Sequence, residues 1–238
     1  MSRTTEELIA ALAADIRPVR RLKPPMLRAF FWLTVIALLA LGPVLLLANL
    51  QLFAARMGHA RVAVETAATL LTGLAGVIAA FHLSLPDRSR AWALLPLPPA
   101  IVWLAASGLG CWRAWVVEGP KGLSAGATTH CALFILAVGL PIGGLLLWAL
   151  SKARPLQPGV TAAVGGLGAA AISAFLLQFF HPFEVTAVDL GVHLAGVLAL
   201  ISLSAASSRR LLSSVLAPYS AAMSIGWKSL RQRERKAR

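Results

Sequence analysis

The sequence predicts an all-α polytopic membrane protein: a bundle of six transmembrane helices led by a short cytosolic N-terminal amphipathic helix. Three observations predict it. The chain is 58% hydrophobic and 13% charged, with a mean hydropathy of +0.77, whereas soluble domains carry about 25% charged residues. Its charges also fence off long uncharged runs. Crossing ~30 Å of hydrocarbon takes about 20 apolar helical residues, and runs 29–55, 66–86, 91–112, 122–151, 155–183 and 190–208 all approach or exceed that length. Finally, these runs are continuous, whereas a membrane barrel alternates in segments of ~10 residues.

Residues 1–28 form a polar head before the first span. No small-residue cleavage site ends it and the apolar run that follows is too long for an h-region, so a cleavable signal peptide is not expected. Within the head, Thr4-Thr5-Glu6-Glu7 reads as a capping box in which the Thr4 hydroxyl and the Glu7 carboxylate satisfy each other's backbone amides. Leu8, Ile9, Leu12 and Ile16 then fall at helical spacing on one face, and Pro18 stops the helix. A helix this short is marginal alone in water. It needs a membrane surface or a partner, and its acidic residues Glu6, Glu7 and Asp15 argue against a headgroup-binding anchor.

Six spans follow, at about 29–52, 62–86, 92–112, 129–151, 157–180 and 188–208. The remainder, 209–238, is a basic tail. Its run 211–227 holds four serines, Pro218 and Tyr219, and reads as cytosolic or interfacial. Lys and Arg in the loops set the orientation. With the N-terminus inside, eighteen of the 22 basic residues lie on the inner face and four on the outer. Both termini are therefore expected in the cytosol, with the chain multi-pass in the membrane. The net charge of +13 follows from that topology and from attraction to anionic headgroups. No direct nucleic-acid partner is implied.

Enzyme motifs are missing: the chain has no HExxH, GxSxG or P-loop. Two cysteines without a CxxC pattern offer no structural zinc site, and no cofactor is required. Ionisable groups instead gather at the outer ends of the spans. Cys111 ends the third, Cys131 opens the fourth, His181 ends the fifth, and Asp189 and His193 open the sixth, with His59, Glu65, His130 and Glu184 nearby. Asp189 and His193 are i, i+4 on one helical face. Cys131, His181, Asp189 and His193 are a competent donor set for a soft or borderline metal acting as a regulatory signal. Each also has a plainer reading, as a packed thiol or a polar cap, and Glu65 as a charge favoured by the helix dipole. His82 reads as a boundary residue at the inner end. A small transporter or channel is the alternative, although such proteins place their polar sites near the midplane.

The head's order Glu7-Leu8-Ile9-x-x-Leu12-Ala13-x-Asp15, followed by Pro18-Val19-Arg20-Arg21-Leu22 and Pro24-Pro25, resembles the NrsF family of membrane-bound anti-sigma factors. So do Glu65, Leu85-Pro86, Gly108-Leu109-Gly110-Cys111-Trp112, Cys131, and Ala153-Arg154-Pro155 with Pro158. The resemblance covers roughly residues 5–212. It implies that the head, through Glu7, Leu8, Ile9, Leu12, Asp15 and Ile16, holds an extracytoplasmic-function sigma factor at the membrane. A stress signal, metal or oxidant, would release it, with Cys131, Cys111, His181, Glu184, Asp189 and His193 as the sensing residues. One departure stands out. Where family members often carry a His-Cys-Pro-Glu turn, this chain has His181-Pro182-Phe183-Glu184, so a two-thiol sensor built on those positions is not available.

Overall fold

The structure, a computed structural model, describes residues 5–14, 22–118, 125–180, 190–191 and 193–208. Every regular element among them is helical. Five candidate spans are long and apolar enough to cross a membrane: Pro25–Leu47, Ala60–Leu83, Arg90–Leu109, Leu133–Ser151 and Pro158–Leu177. The expected sixth is represented by His193–Ser208, an apolar helix shorter than a full span.

Helix α1 (Thr5–Ala14) carries Glu6 and Glu7 in its first turn, where the macrodipole favours negative charge. Helix α2 (Pro25–Leu47) starts on a proline that loses nothing at a helix N-terminus. The first uncharged run is not one helix. Ala48 is extended, and the Asn49 side chain accepts from the Leu52 amide at 2.9 Å, capping a separate α3 (Leu50–Met57). Helix α4 (Ala60–Leu83) follows. A 3₁₀ segment (Arg90–Leu94), capped by Ser89, then leads into α5 (Leu97–Glu118). Pro98 and Pro99 fall in the first turn of α5, where missing amides cost little. Helices α6 (Ala125–Ser151), α7 (Pro158–Leu177) and α8 (His193–Ser208) complete the bundle.

Tertiary contacts fix which ends lie together. Arg28 on α2 reaches Ser84 after α4 and the Ala149 carbonyl on α6, and Thr161 on α7 donates to the Leu83 carbonyl. These residues define the head end; the C-terminus of α2 and the N-termini of α4 and α6 define the far end. The centre is the antiparallel pair α4 and α7. A Cβ on Gly76 would sit 2.7 Å from the Gly168 Cα, and one on Gly73 would meet Ile172 at 2.7 Å. Glycine is required there because helices without a hydrophobic driving force between them gain from close backbone approach. Thr69 and Thr72 turn their hydroxyls onto the carbonyls of Glu65 and Ala68, which satisfies two of the polar atoms on the buried face of α4, while the Thr66 hydroxyl has no partner among the described residues. Around this pair pack Ala29, Trp32 and Ile36 of α2 with Val77 and Phe81 of α4 and Ile142, Leu146 and Leu150 of α6.

Candidate functional site

At the far end, α6 and α8 run parallel in a regular register. Gly196 faces Ile135, Leu200 lies over Gly139, and Ser204 approaches Gly143, one helical turn at each step. Carried one turn further outward, this register brings the backbone positions of Cys131 and His193 to within one residue of the same level. His193 itself is buried. Aromatic rings anchor the chain leaving α7: Phe179 stacks on Phe53 of α3 at 4.3 Å and meets Phe175 edge-on. Phe180 packs against Phe134 of α6 at 5.5 Å. Since Phe134 is three residues after Cys131, this aromatic contact ties that part of α6 to Phe180, the last described residue after α7.

A second far-end cluster is built on Glu65. It lies beyond the first turn of α4, where the macrodipole has decayed, and it is 5% exposed. Ser107 of α5 donates to its Oε1 at 2.9 Å, while Arg61, one turn back, meets its Oε2 at 3.4 Å. Burying a carboxylate is costly unless it is paired and hydrogen-bonded, and here it is both. The arrangement ties α4 to α5. The dipole reading of Glu65 is replaced by a tertiary one.

The head end holds the opposite charge. The Arg28 guanidinium donates to the Ala149 carbonyl at 3.1 Å and to the Ser84 hydroxyl at 3.5 Å, and lies 5.0 Å from the Phe81 ring centre. It thereby joins the start of α2 to the ends of α4 and α6. His82, a boundary residue in the sequence, is buried because the 3₁₀ segment folds back and stacks Trp92 on it at 3.8 Å. Neither ring nitrogen has a partner among the described residues. Nearby, the Gln157 amide oxygen, turned toward Arg90, accepts from its Nε at 2.7 Å and Nη2 at 2.8 Å.

The candidates read from sequence are placed unevenly. In the head, Glu7 and Ile9 are exposed on α1. The side chains of Leu8 and Leu12, and residues Thr4, Asp15 and Ile16, lie outside the described residues. Cys111 occupies the second half of α5 and Cys131 the second turn of α6, their side chains likewise outside the description. His181, Glu184 and Asp189 fall in an undescribed stretch, as does the tail run 211–227. Among the described residues no three His, Cys, Asp or Glu side chains converge as a metal site. The sequence reading missed Ser107 and Trp92; a serine and a tryptophan inside or beside an apolar run were the available signals.

Among the described residues the molecule is an all-helical bundle with five helices long and apolar enough to cross a membrane, compatible with the class of polytopic membrane proteins, and its Glu65 and Arg28 clusters lie toward opposite ends. Residues 12–213 match the family NrsF, Negative regulator of sigma F, and the chain belongs to that family. It is 34% identical over 206 residues to the anti-sigma-F factor NrsF of Caulobacter vibrioides (strain NA1000 / CB15N), covering 82% of this chain and 92% of that protein. No solved structure matches.

Proposed function

We propose that this chain is an anti-sigma factor of the bacterial inner membrane, in which six spans (29–208) carry a sigma-binding head (1–28) on the cytosolic side. The observation that carries the reading is membership of the sigma F regulator family over most of the chain. The charge map supports the orientation: eighteen basic residues against four favour a cytosolic side for both termini and the basic tail 209–238. The partner is an extracytoplasmic-function sigma factor, and the role is regulatory rather than catalytic.

In the head, Leu8, Ile9 and Leu12 enter a hydrophobic groove on the sigma factor, with Ile16 extending the apolar face and Glu7 and Asp15 at its rim. Each buried Leu or Ile contributes about 1.5–3 kcal/mol. Release follows a signal received at the outer ends. Cys131, with His181, Asp189 and His193, takes a soft or borderline metal ion, or Cys131 reacts with an oxidant, alone or with Cys111; Glu184 lies in the same turn. The parallel register of α6 and α8, together with the Phe134–Phe180 contact, supports that grouping.

The test is co-purification of the sigma factor with the tagged full-length chain from membranes. The wild type should capture it, and Leu12→Asp should release it while remaining in the membrane. Capture undiminished in Leu12→Asp would move the binding site off the head. For the receiver, loss of metal response in Cys131→Ser and His193→Ala, with Cys111→Ser normal, marks a metal site. Loss in both cysteine variants, with His193→Ala normal, marks thiol oxidation. Normal induction in all three variants would remove the receiver from these residues.

A further inference from the structure

A groove runs between α2 and α6 through the depth of the bundle. Its head-end compartment holds about 360 Å³ and its far-end compartment about 540 Å³, and both are walled by Ile36 and Leu145. From Leu27 to Leu47 the α2 wall spans about 30 Å at the helical rise, the thickness of a bilayer's hydrocarbon core. The junction at Ile36 divides that length near the middle, so each compartment matches one leaflet.

The two compartments differ in charge. The far-end one is lined entirely by apolar residues, among them Leu39, Val44 and Phe134. The head-end one has Leu27, Phe31 and Val35 along its wall and three cations, Lys23, Arg28 and Lys152, among its lining residues. Arg28 is held by the Ala149 carbonyl and Ser84, and the Lys152 ammonium sits 3.6 Å above the Trp148 ring. None of the three has a carboxylate partner among the described residues. Three cations over an apolar slot one leaflet deep complement a molecule with an anionic head and a hydrocarbon tail.

We propose that the head-end compartment is a binding site for an anionic phospholipid. Its phosphate sits among Lys23, Arg28 and Lys152, and one acyl chain lies in the slot against Phe31, Val35 and Leu145. Basic pockets between spans are a recurrent solution for anionic headgroups. The proposal rests on the membrane reading, and the orientation decides only which leaflet supplies the lipid. Because Lys23 lies just ahead of α2, bound lipid would brace the junction between head and bundle.

The experiment reconstitutes full-length protein in phosphatidylcholine nanodiscs containing a minority of phosphatidylglycerol. The protein is then extracted in mild detergent, and the co-isolated phospholipid is quantified by mass spectrometry. Wild type should retain phosphatidylglycerol well above its share of the bilayer. Excess glycerol phosphate should not displace it, because the slot holds the acyl chain. Lys23→Gln with Lys152→Gln should cut the preference by about twenty-five-fold, at roughly fivefold per basic residue. Arg154→Gln, an exposed cation outside the groove, should leave it within about twofold. Leu145→Trp, which fills the slot, should lower retention of both lipids. No enrichment in the wild type would overturn the proposal. So would an equal loss in Arg154→Gln, displacement by glycerol phosphate, or a dimer whose second copy covers the groove. Sigma capture does not enter this readout, so a failed lipid test leaves the anti-sigma reading standing, and the reverse.

Discussion

Helices α4 and α7 are interlocked along their length, while α2, the helix entered directly from the head, rests on the bundle more lightly. Over their apolar windows, 56% of α4 and 67% of α7 are buried, against 11% of α2. Glycine shows the difference at single residues. A Cβ at Gly76 in α4 would collide with the Gly168 backbone, whereas one at Gly42 in α2 would meet nothing within 4 Å. The helices closest to the core are held by backbone approach. The helix that carries the head is held by a short patch, Ala29, Trp32 and Ile36, and by the Arg28 contacts. Such an architecture favours movement of α2 against a stiff α4–α7 pair, because the interface with least buried area costs least to rearrange.

The sharpest break in this contrast should come from Gly76→Leu. Forced apart at the Gly168 crossing, the core pair should lose about 3 kcal/mol or more, read as a lost monodisperse peak or a large fall in Tm in detergent. Gly42→Leu should cost nothing, and removing a mid-helix glycine can gain up to about 1 kcal/mol. Equal damage at both positions would erase the distinction.

Next in size is the buried carboxylate. Glu65→Ala removes a charged hydrogen-bond acceptor from Ser107 and the ion pair with Arg61, and should destabilise by about 2–3 kcal/mol. Ser107→Ala should cost about 1–2 kcal/mol. The double variant should fall short of their sum, since both remove the same contact. Additive losses in thermal unfolding would show that Ser107 and Glu65 act separately.

Smaller still, Arg28→Gln should cost about 1 kcal/mol in global stability, since its guanidinium is half-buried and its hydrogen bonds reach 3.1–3.5 Å. Its effect should be local. Cysteine labelling at Ala29, on the buried face of α2, should accelerate in a background lacking Cys111 and Cys131, while labelling at Ala80 in α4 should not.

Much of this contrast was visible in the residues and some was not. The uncharged runs marked the long apolar helices because burial of charge in hydrocarbon is costly whatever the tertiary arrangement. The break after α2 escaped that reading. An Asn49 cap inside a run of 27 uncharged residues changes hydropathy little, yet its side chain redirects the backbone. Glu65 looked like a helix-end charge because its partner Ser107 is 42 residues away. His82 looked like a boundary residue because the chain's return through Trp92 is a tertiary event. The sensing candidates divide the same way: the charge-bounded runs put Cys131 and His193 near span ends, but only the α6–α8 register sets their backbone positions within one residue of the same level.

Distance distributions between spin labels would test the central contrast most directly, using the full-length chain with Cys111 and Cys131 replaced by serine. One pair, at Leu46 of α2 and Leu133 of α6, spans the groove; the other, at Leu71 of α4 and Val160 of α7, reports the core, and all four positions are exposed. Electron–electron resonance should give a narrow α4–α7 distribution that sigma binding leaves in place, and an α2–α6 distribution that is broader and shifts. An α4–α7 distance that moves on sigma binding while α2–α6 stays fixed would contradict the account.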